Sequence, residues 1–106
     1  MTPRTPESRR QRATAVATQL AEIVYEQGRT YAFYYLTLMD IRNILAGPEG
    51  EAETALAEAA QRFDGLRRTR NFSEFYVYAD SWEQRVAANE KVKELVNELR
   101  FTLHDS

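Results

Sequence analysis

The stretch AETALAEAAQRFDGL, residues 52–66, decides the fold class. Ala52, Ala55, Leu56, Ala59, Ala60, Phe63 and Leu66 recur at steps of three and four, and the residues between them are charged or polar apart from Ala57 and Gly65. That period lines the apolar side chains along one face of an α-helix. The alanines in the stripe let a neighbouring helix approach closely, and Glu53 and Glu58 lie toward the helix start, where carboxylates complement the dipole.

The same period extends in both directions. Upstream, Ala13, Val16, Ala17, Leu20, Ile23 and Val24 share one face of a helix. Its start is written in Thr5-Pro6: Thr5 can accept a hydrogen bond from an orphan N–H, and Pro6 suits the first helical position. Gly28 is expected to end this helix as a left-handed cap. Downstream, Phe75, Tyr78, Ala79, Trp82, Val86, Val92, Leu95, Val96, Leu99 and Leu103 form the stripe of a last helix running to about Leu103. A break near Asn71, with Glu74 able to recap, separates it from the helix before.

Residues 31–36 are ambiguous, because aromatic side chains fall on every side. Two arrangements fit. One is a single helix over 30–46; the other is a lead-in followed by a short helix over 38–46, opened by a capping box between Thr37 and Asp40. In either case Gly47-Pro48 stops the chain. Elsewhere alternation at period two is absent, so a sheet is not expected. The fold class is all-α: a single-domain antiparallel bundle of about four helices over 6–106, preceded by a flexible arm over 1–5.

Composition bounds the function. A chain of 106 residues builds one core and buries roughly two-thirds of its unfolded surface. The absence of cysteine removes disulfides and thiolate metal sites. The N-terminus has no apolar run of a secretory signal, and no window approaches about 18 apolar residues, so the expectation is a cytoplasmic protein with no membrane partner. A lone histidine, His104, cannot support a hydrolytic triad or a di-iron site. Its step from Arg100 is one residue shorter than the Arg–His pattern of HEPN ribonucleases. The glycines are scattered and make no phosphate-cradling loop. No cofactor, metal ion or small-molecule substrate is expected, and the chain reads as a binding protein rather than an enzyme.

Two features suggest what it binds. The aromatic clusters Tyr31, Phe33, Tyr34, Tyr35 and Phe72, Phe75, Tyr76, Tyr78, Trp82 exceed what one small core takes up, and exposed Tyr and Trp favour protein interfaces. Tyr31, Tyr34, Tyr35, Phe72, Tyr76 and Trp82 are therefore the candidate interface residues. The other feature is arginine. Basic charge is carried by twelve Arg against two Lys, within a net charge of −2. Arg9, Arg10 and Arg12 cluster at the start, and Arg67, Arg68 and Arg70 stand beside Asn71-Phe72, a pattern suited to phosphate contact and base stacking. Arg42, between Ile41 and Ile44 on an apolar helix, calls for a specific carboxylate or phosphate partner.

The segment Phe33-Tyr34-Tyr35-Leu36-Thr37-Leu38-Met39-Asp40-Ile41-Arg42-Asn43-Ile44-Leu45 resembles the N-terminal signature of the small subunit of type III-A CRISPR effector complexes. That signature is an aromatic pair, Leu-Thr-Thr, two variable residues, then Leu-Arg-Asn-Leu-Leu. A second family stretch, aromatic-Val-Tyr-x-Ala-Gly-Arg, is similar to Tyr76-Val77-Tyr78-Ala79 in its first half, with Asp80-Ser81 following here. The resemblance implies a non-catalytic structural subunit of an RNA-guided antiviral complex. Copies of it, with other protein subunits, would form a filament along guide and target RNA, touching the backbone. Arg42 is the position carried over, and Arg67, Arg68 and Arg70 add RNA contacts by charge. Tyr35-Leu36-Thr37 with Ile41-Arg42 also resembles Rubisco assembly chaperones, which implies the alternative of an oligomeric helical chaperone or adaptor that binds protein without nucleic acid.

Overall fold

In the computed structural model, residues 5–47, 51–68 and 75–104 are described, Thr30 by its backbone alone. Among them the chain forms four α-helices and no strand: α1 (Pro6–Glu26), α2 (Ala32–Ala46), α3 (Ala52–Arg68) and α4 (Trp82–His104). The all-α bundle expected from the sequence is the observed architecture. The segments over 48–50 and 69–74, which hold Pro48, Arg70, Asn71, Phe72 and Glu74, lie outside the described residues, as do 1–4 and 105–106.

Helix α1 begins as its sequence dictates. Thr5 takes extended backbone angles, its hydroxyl oxygen accepts from the Ser8 N–H at 3.1 Å, and Pro6 opens the helix. Thr5, which the sequence places at the end of the arm, caps the first helix of the bundle. The buried stripe of α1 is Ala13, Val16, Ala17, Leu20, Ala21 and Val24. Three of these are alanines, and α1 packs against α2, α3 and α4 alike. The small side chains keep its surface low enough for three neighbours.

Gln27, not Gly28, caps α1, its N–H donating to Val24 at 3.1 Å. Gly28 has the expected positive φ of 93°, but its ψ of −170° makes it extended rather than left-handed helical. That geometry swings the chain into a short 3₁₀ turn, Arg29–Tyr31, which runs directly into α2.

Of the two arrangements open for residues 30–46, the structure adopts the single helix. Tyr34, Leu38, Ile41 and Leu45 form one buried stripe across the supposed boundary, and that continuity decides the matter. The Thr37–Asp40 capping box is not formed. Thr37 sits inside α2 and its hydroxyl donates to the Phe33 carbonyl at 2.9 Å, the usual outlet for a threonine within a helix. Asp40 instead pairs with Arg62 on α3.

Helix α3 matches its reading closely: Ala55, Leu56, Ala59, Ala60, Phe63 and Leu66 are buried, and Arg67 and Arg68 stand in the last turn, favourable to the dipole. The beginning of α4 departs from expectation. Phe75, Tyr78 and Ala79 belong to a non-helical segment over 75–79, and α4 starts at Trp82, capped by the Ser81 hydroxyl, which accepts from the Gln84 N–H at 3.1 Å. Along 75–79 burial alternates: Val77 is buried, Phe75 and Ala79 are half-buried, and Tyr76 and Tyr78 face solvent. Period-two alternation therefore occurs here, where the sequence was read as helix. Trp82 and Val86 are exposed, and α4 buries its C-terminal half through Val92, Leu95, Leu99, Thr102 and Leu103.

Each of α2 and α4 packs on α1 and on α3, and α1 also touches α3. Phe63, Leu20, Leu38, Ile41, Leu45 and Leu99 fill the centre. Phe63 is the largest of them, and Phe63→Ala is expected to cost about 3–5 kcal/mol, measured as a lower urea midpoint with an unchanged m-value.

Candidate functional site

The polar interactions divide the bundle into two ends with different chemistry. At the first end, the start of α1 meets the C-termini of α2 and α4. Arg10 is buried, 8% exposed, and its guanidinium donates to the carbonyls of Leu45 and Gly47. Glu7, one turn earlier, stands 3.8 Å from it. Arg9 donates to the Thr102 carbonyl at 3.1 and 2.9 Å and to that of Leu103 at 3.2 Å. Two adjacent arginines thus satisfy the orphan carbonyls of two helices and place positive charge at their negative ends. Arg12 pairs with Glu98 on α4. The arginine cluster at the start of the chain is therefore engaged in joining helices.

His104 extends this end. Its Nε2 lies 2.9 Å from Asp64 Oδ1, and Arg67 approaches the same carboxylate at 3.9 Å. The pair ties the last turn of α4 to α3. No set of His, Cys, Asp and Glu side chains able to hold a metal ion occurs among the described residues.

At the second end, the C-terminus of α1, the 3₁₀ turn, the start of α2 and the segment over 75–79 come together. Side chains hold the segment over 75–79 in place. The Asn89 amide closes both polar groups of Val77, accepting from its N–H at 2.8 Å and donating to its carbonyl at 3.0 Å. Gln27 accepts from the Tyr78 N–H at 3.1 Å, and Arg85 donates to the Ala79 carbonyl at 3.1 Å. Rings link this segment to α2. Tyr31 meets Phe75 edge-on at 4.8 Å and stacks near Tyr34 at 5.7 Å, and Tyr34 meets Phe33 at 6.1 Å. On the outside, Tyr76 and Tyr78 pack edge-to-face at 5.6 Å.

The six interface candidates therefore separate. Tyr34 is buried, 5% exposed, and belongs to the core: it falls in the α2 stripe, so it offers no face to a partner. Tyr31 and Tyr35 are half-buried. Tyr76 and Trp82 stand 42% and 72% exposed, and Tyr78, left out of the candidates, is 74% exposed. Phe72 lies outside the described residues.

The arginine candidates do not form one patch. Arg42 is half-buried in a groove between α1 and α2, and its Nη1 donates to the Asn43 side chain at 3.0 Å. Its expected carboxylate partner is not found among the described residues. Arg67 shares Asp64 with His104, and Arg68 is exposed at the end of α3. Arg70 lies outside the described residues.

Sequence reasoning missed Arg9, Arg10, Gln27 and Asn89. Arg10 carried a signal: it lies in helical phase with Ala13, Ala17 and Leu20, which marks it as inward-facing. Asn89, a weak helix former in the middle of α4, carried a fainter one. Comparison of the chain with protein-family models, with curated proteins and with solved structures finds no match.

Arg10→Ala leaves the Leu45 and Gly47 carbonyls without their charged donor and is expected to cost about 2–3 kcal/mol, whereas Arg68→Ala stays within about 0.5 kcal/mol. Urea denaturation of both variants checks the contrast. Asn89→Ala is expected to speed amide hydrogen exchange at Val77 and Tyr78 while the centre of α1 keeps its protection.

Proposed function

We propose that this chain is a non-catalytic docking subunit that joins a larger assembly through its aromatic end. The observation that carries the reading is the contrast between the ends. Arg9, Arg10 and Arg12 are engaged internally, whereas Tyr76 and Tyr78 stand exposed on a segment whose backbone is pinned by Asn89, Gln27 and Arg85, and Trp82 stands exposed at the start of α4. Tyr and Trp are enriched among the residues that dominate binding energy at protein interfaces. A segment already held in one conformation loses little entropy when it docks.

The resemblance over residues 33–45 makes the assembly an RNA-guided effector complex. It is supported by matched residues that the core does not use: Phe33, Leu36 and Asn43 are exposed and Arg42 is half-buried. In this reading Arg42, Arg67, Arg68 and Arg70 touch guide or target RNA, and copies of the chain stack beside other subunits. The second reading, a chaperone or adaptor that binds protein alone, is supported by charge. Glu22 and Glu26 line the same groove as Arg42, and carboxylates there oppose a phosphate backbone.

Purification of the tagged chain from its native host, at low and at high salt, tests both. Docking predicts a complex with larger protein subunits that survives high salt. It also predicts that Tyr78→Ser and Trp82→Ser each lower partner affinity by about tenfold or more. Retained small RNA, lost steeply with salt and reduced by Arg42→Ala and Arg68→Ala, supports the effector-complex reading. An RNA-free complex that is indifferent to those arginines supports the adaptor. A lone monomer overturns docking altogether.

A further inference from the structure

The groove between α1 and α2 has a volume of about 400 Å³ and a divided lining. At one end the rings of Tyr25 and Tyr35 stand 5.1 Å apart, tilted by 51°. The carboxylates of Glu22 and Glu26, one helical turn apart on α1, line the groove with them. Arg42 lines its other part, seven residues along α2 from Tyr35 and so about 10 Å away. Met39 forms the apolar floor between.

These charges are unspent. Neither Glu22 nor Glu26 has an ion-pair partner among the described residues, and Arg42 there has only the neutral Asn43 amide. The core does not need them, since the groove opens outward and Tyr25 is largely exposed. Two aromatic faces flanked by carboxylates suit a guanidinium or ammonium group, attracted by the ring quadrupoles and the negative charge together. An arginine about two helical turns away suits a carboxylate, which its planar fork can hold in bidentate fashion.

We infer that this groove receives a helical segment of a partner protein, with a basic side chain seated on the open face of the Tyr25–Tyr35 ring pair beside Glu22 and Glu26, and an acidic side chain about two turns along at Arg42. Charge complementarity selects the occupant. A phosphate backbone would meet two carboxylates for one arginine, and a purely apolar helix would leave all three charges without partners. The inference rests on the docking reading in its adaptor form, in which Arg42 meets a carboxylate and not RNA, and it names the partner's chemistry. Tyr76, Tyr78 and Trp82 do not line this groove, so the two can fail separately.

The test uses the ¹⁵N-labelled full chain and an alanine-based helical peptide carrying Arg and Glu seven residues apart, titrated at low salt. The expected result is saturable shifts confined to the amides around Glu22, Tyr25, Tyr35 and Arg42. A peptide with Gln at both positions should bind at least tenfold more weakly. The double variant Glu22→Gln, Glu26→Gln and the single variant Arg42→Gln should each weaken the charged peptide at least threefold. All three positions leave the buried stripes intact, and unchanged far-UV circular dichroism confirms that the variants fold. Shifts scattered over other acidic surface positions such as Glu53 and Glu94, or equal binding of the Gln peptide, or full affinity in the charge variants, would overturn the inference. Failure here with Tyr78 and Trp82 still required for complex recovery would leave docking standing; the reverse outcome would leave the groove.

Discussion

Arg9 and Arg10 tie the ends of two helices to the first turns of α1. Two consecutive residues on a helix point about 100° apart, so neighbouring side chains can reach different neighbours. Arg10 turns inward to the end of α2, and Arg9 turns to the end of α4. Both neighbours are therefore held antiparallel to α1, with their C-termini at the level of its first turn. A helix leaves its last carbonyls without partners inside itself. One turn of α1 answers that need for two helices at once. It also fixes how far each helix can slide along α1, which an alanine-rich stripe alone specifies poorly.

That use of arginine changes how the charge of the chain is read. Counted along the sequence, the arginines make basic clusters that suit phosphate. In space, Arg9 and Arg10 face carbonyls, and Arg12, Arg62 and Arg67 face Glu98, Asp40 and Asp64. Arg29, Arg42, Arg68, Arg85 and Arg100 have no carboxylate partner among the described residues, and they are spread over the 3₁₀ turn, α2, α3 and α4. A surface that binds nucleic acid by charge needs several cations aligned along one path, and the arginines that join helices are taken out of any such path.

The opposite end reverses the roles of polar and apolar groups. There the backbone is irregular, and side-chain amides supply its hydrogen bonds. Asn89 treats Val77 as a strand partner would, through one donor and one acceptor, so a single helix residue stands in for a neighbouring strand. The alternation of 75–79 turns Val77 into the core and leaves Tyr76 and Tyr78 outside. An aromatic surface on a braced segment results, at the end of the bundle that the capping arginines leave free.

The sequence by itself determined the helices. The stripes of α1 and α3, the Thr5-Pro6 start and the Gly47 stop are local signals: they follow from backbone sterics, orphan N–H groups and a period of 3.6, and each acts within a few residues. Tertiary structure decided everything that depends on which neighbour a side chain meets. The Thr37–Asp40 capping box was a sound local option, but a buried stripe from Tyr34 to Leu45 outweighed it. Residues 75–79 carry helical spacing as well as alternation, and the amide of Asn89, twelve residues from Val77, holds the non-helical form. Arg10 was in phase with the core, yet only the arrival of the α2 terminus explains why a charge is stable there. Which tyrosines are core and which are surface likewise followed from packing, because burial belongs to the assembled bundle, whereas the helical period belongs to the chain.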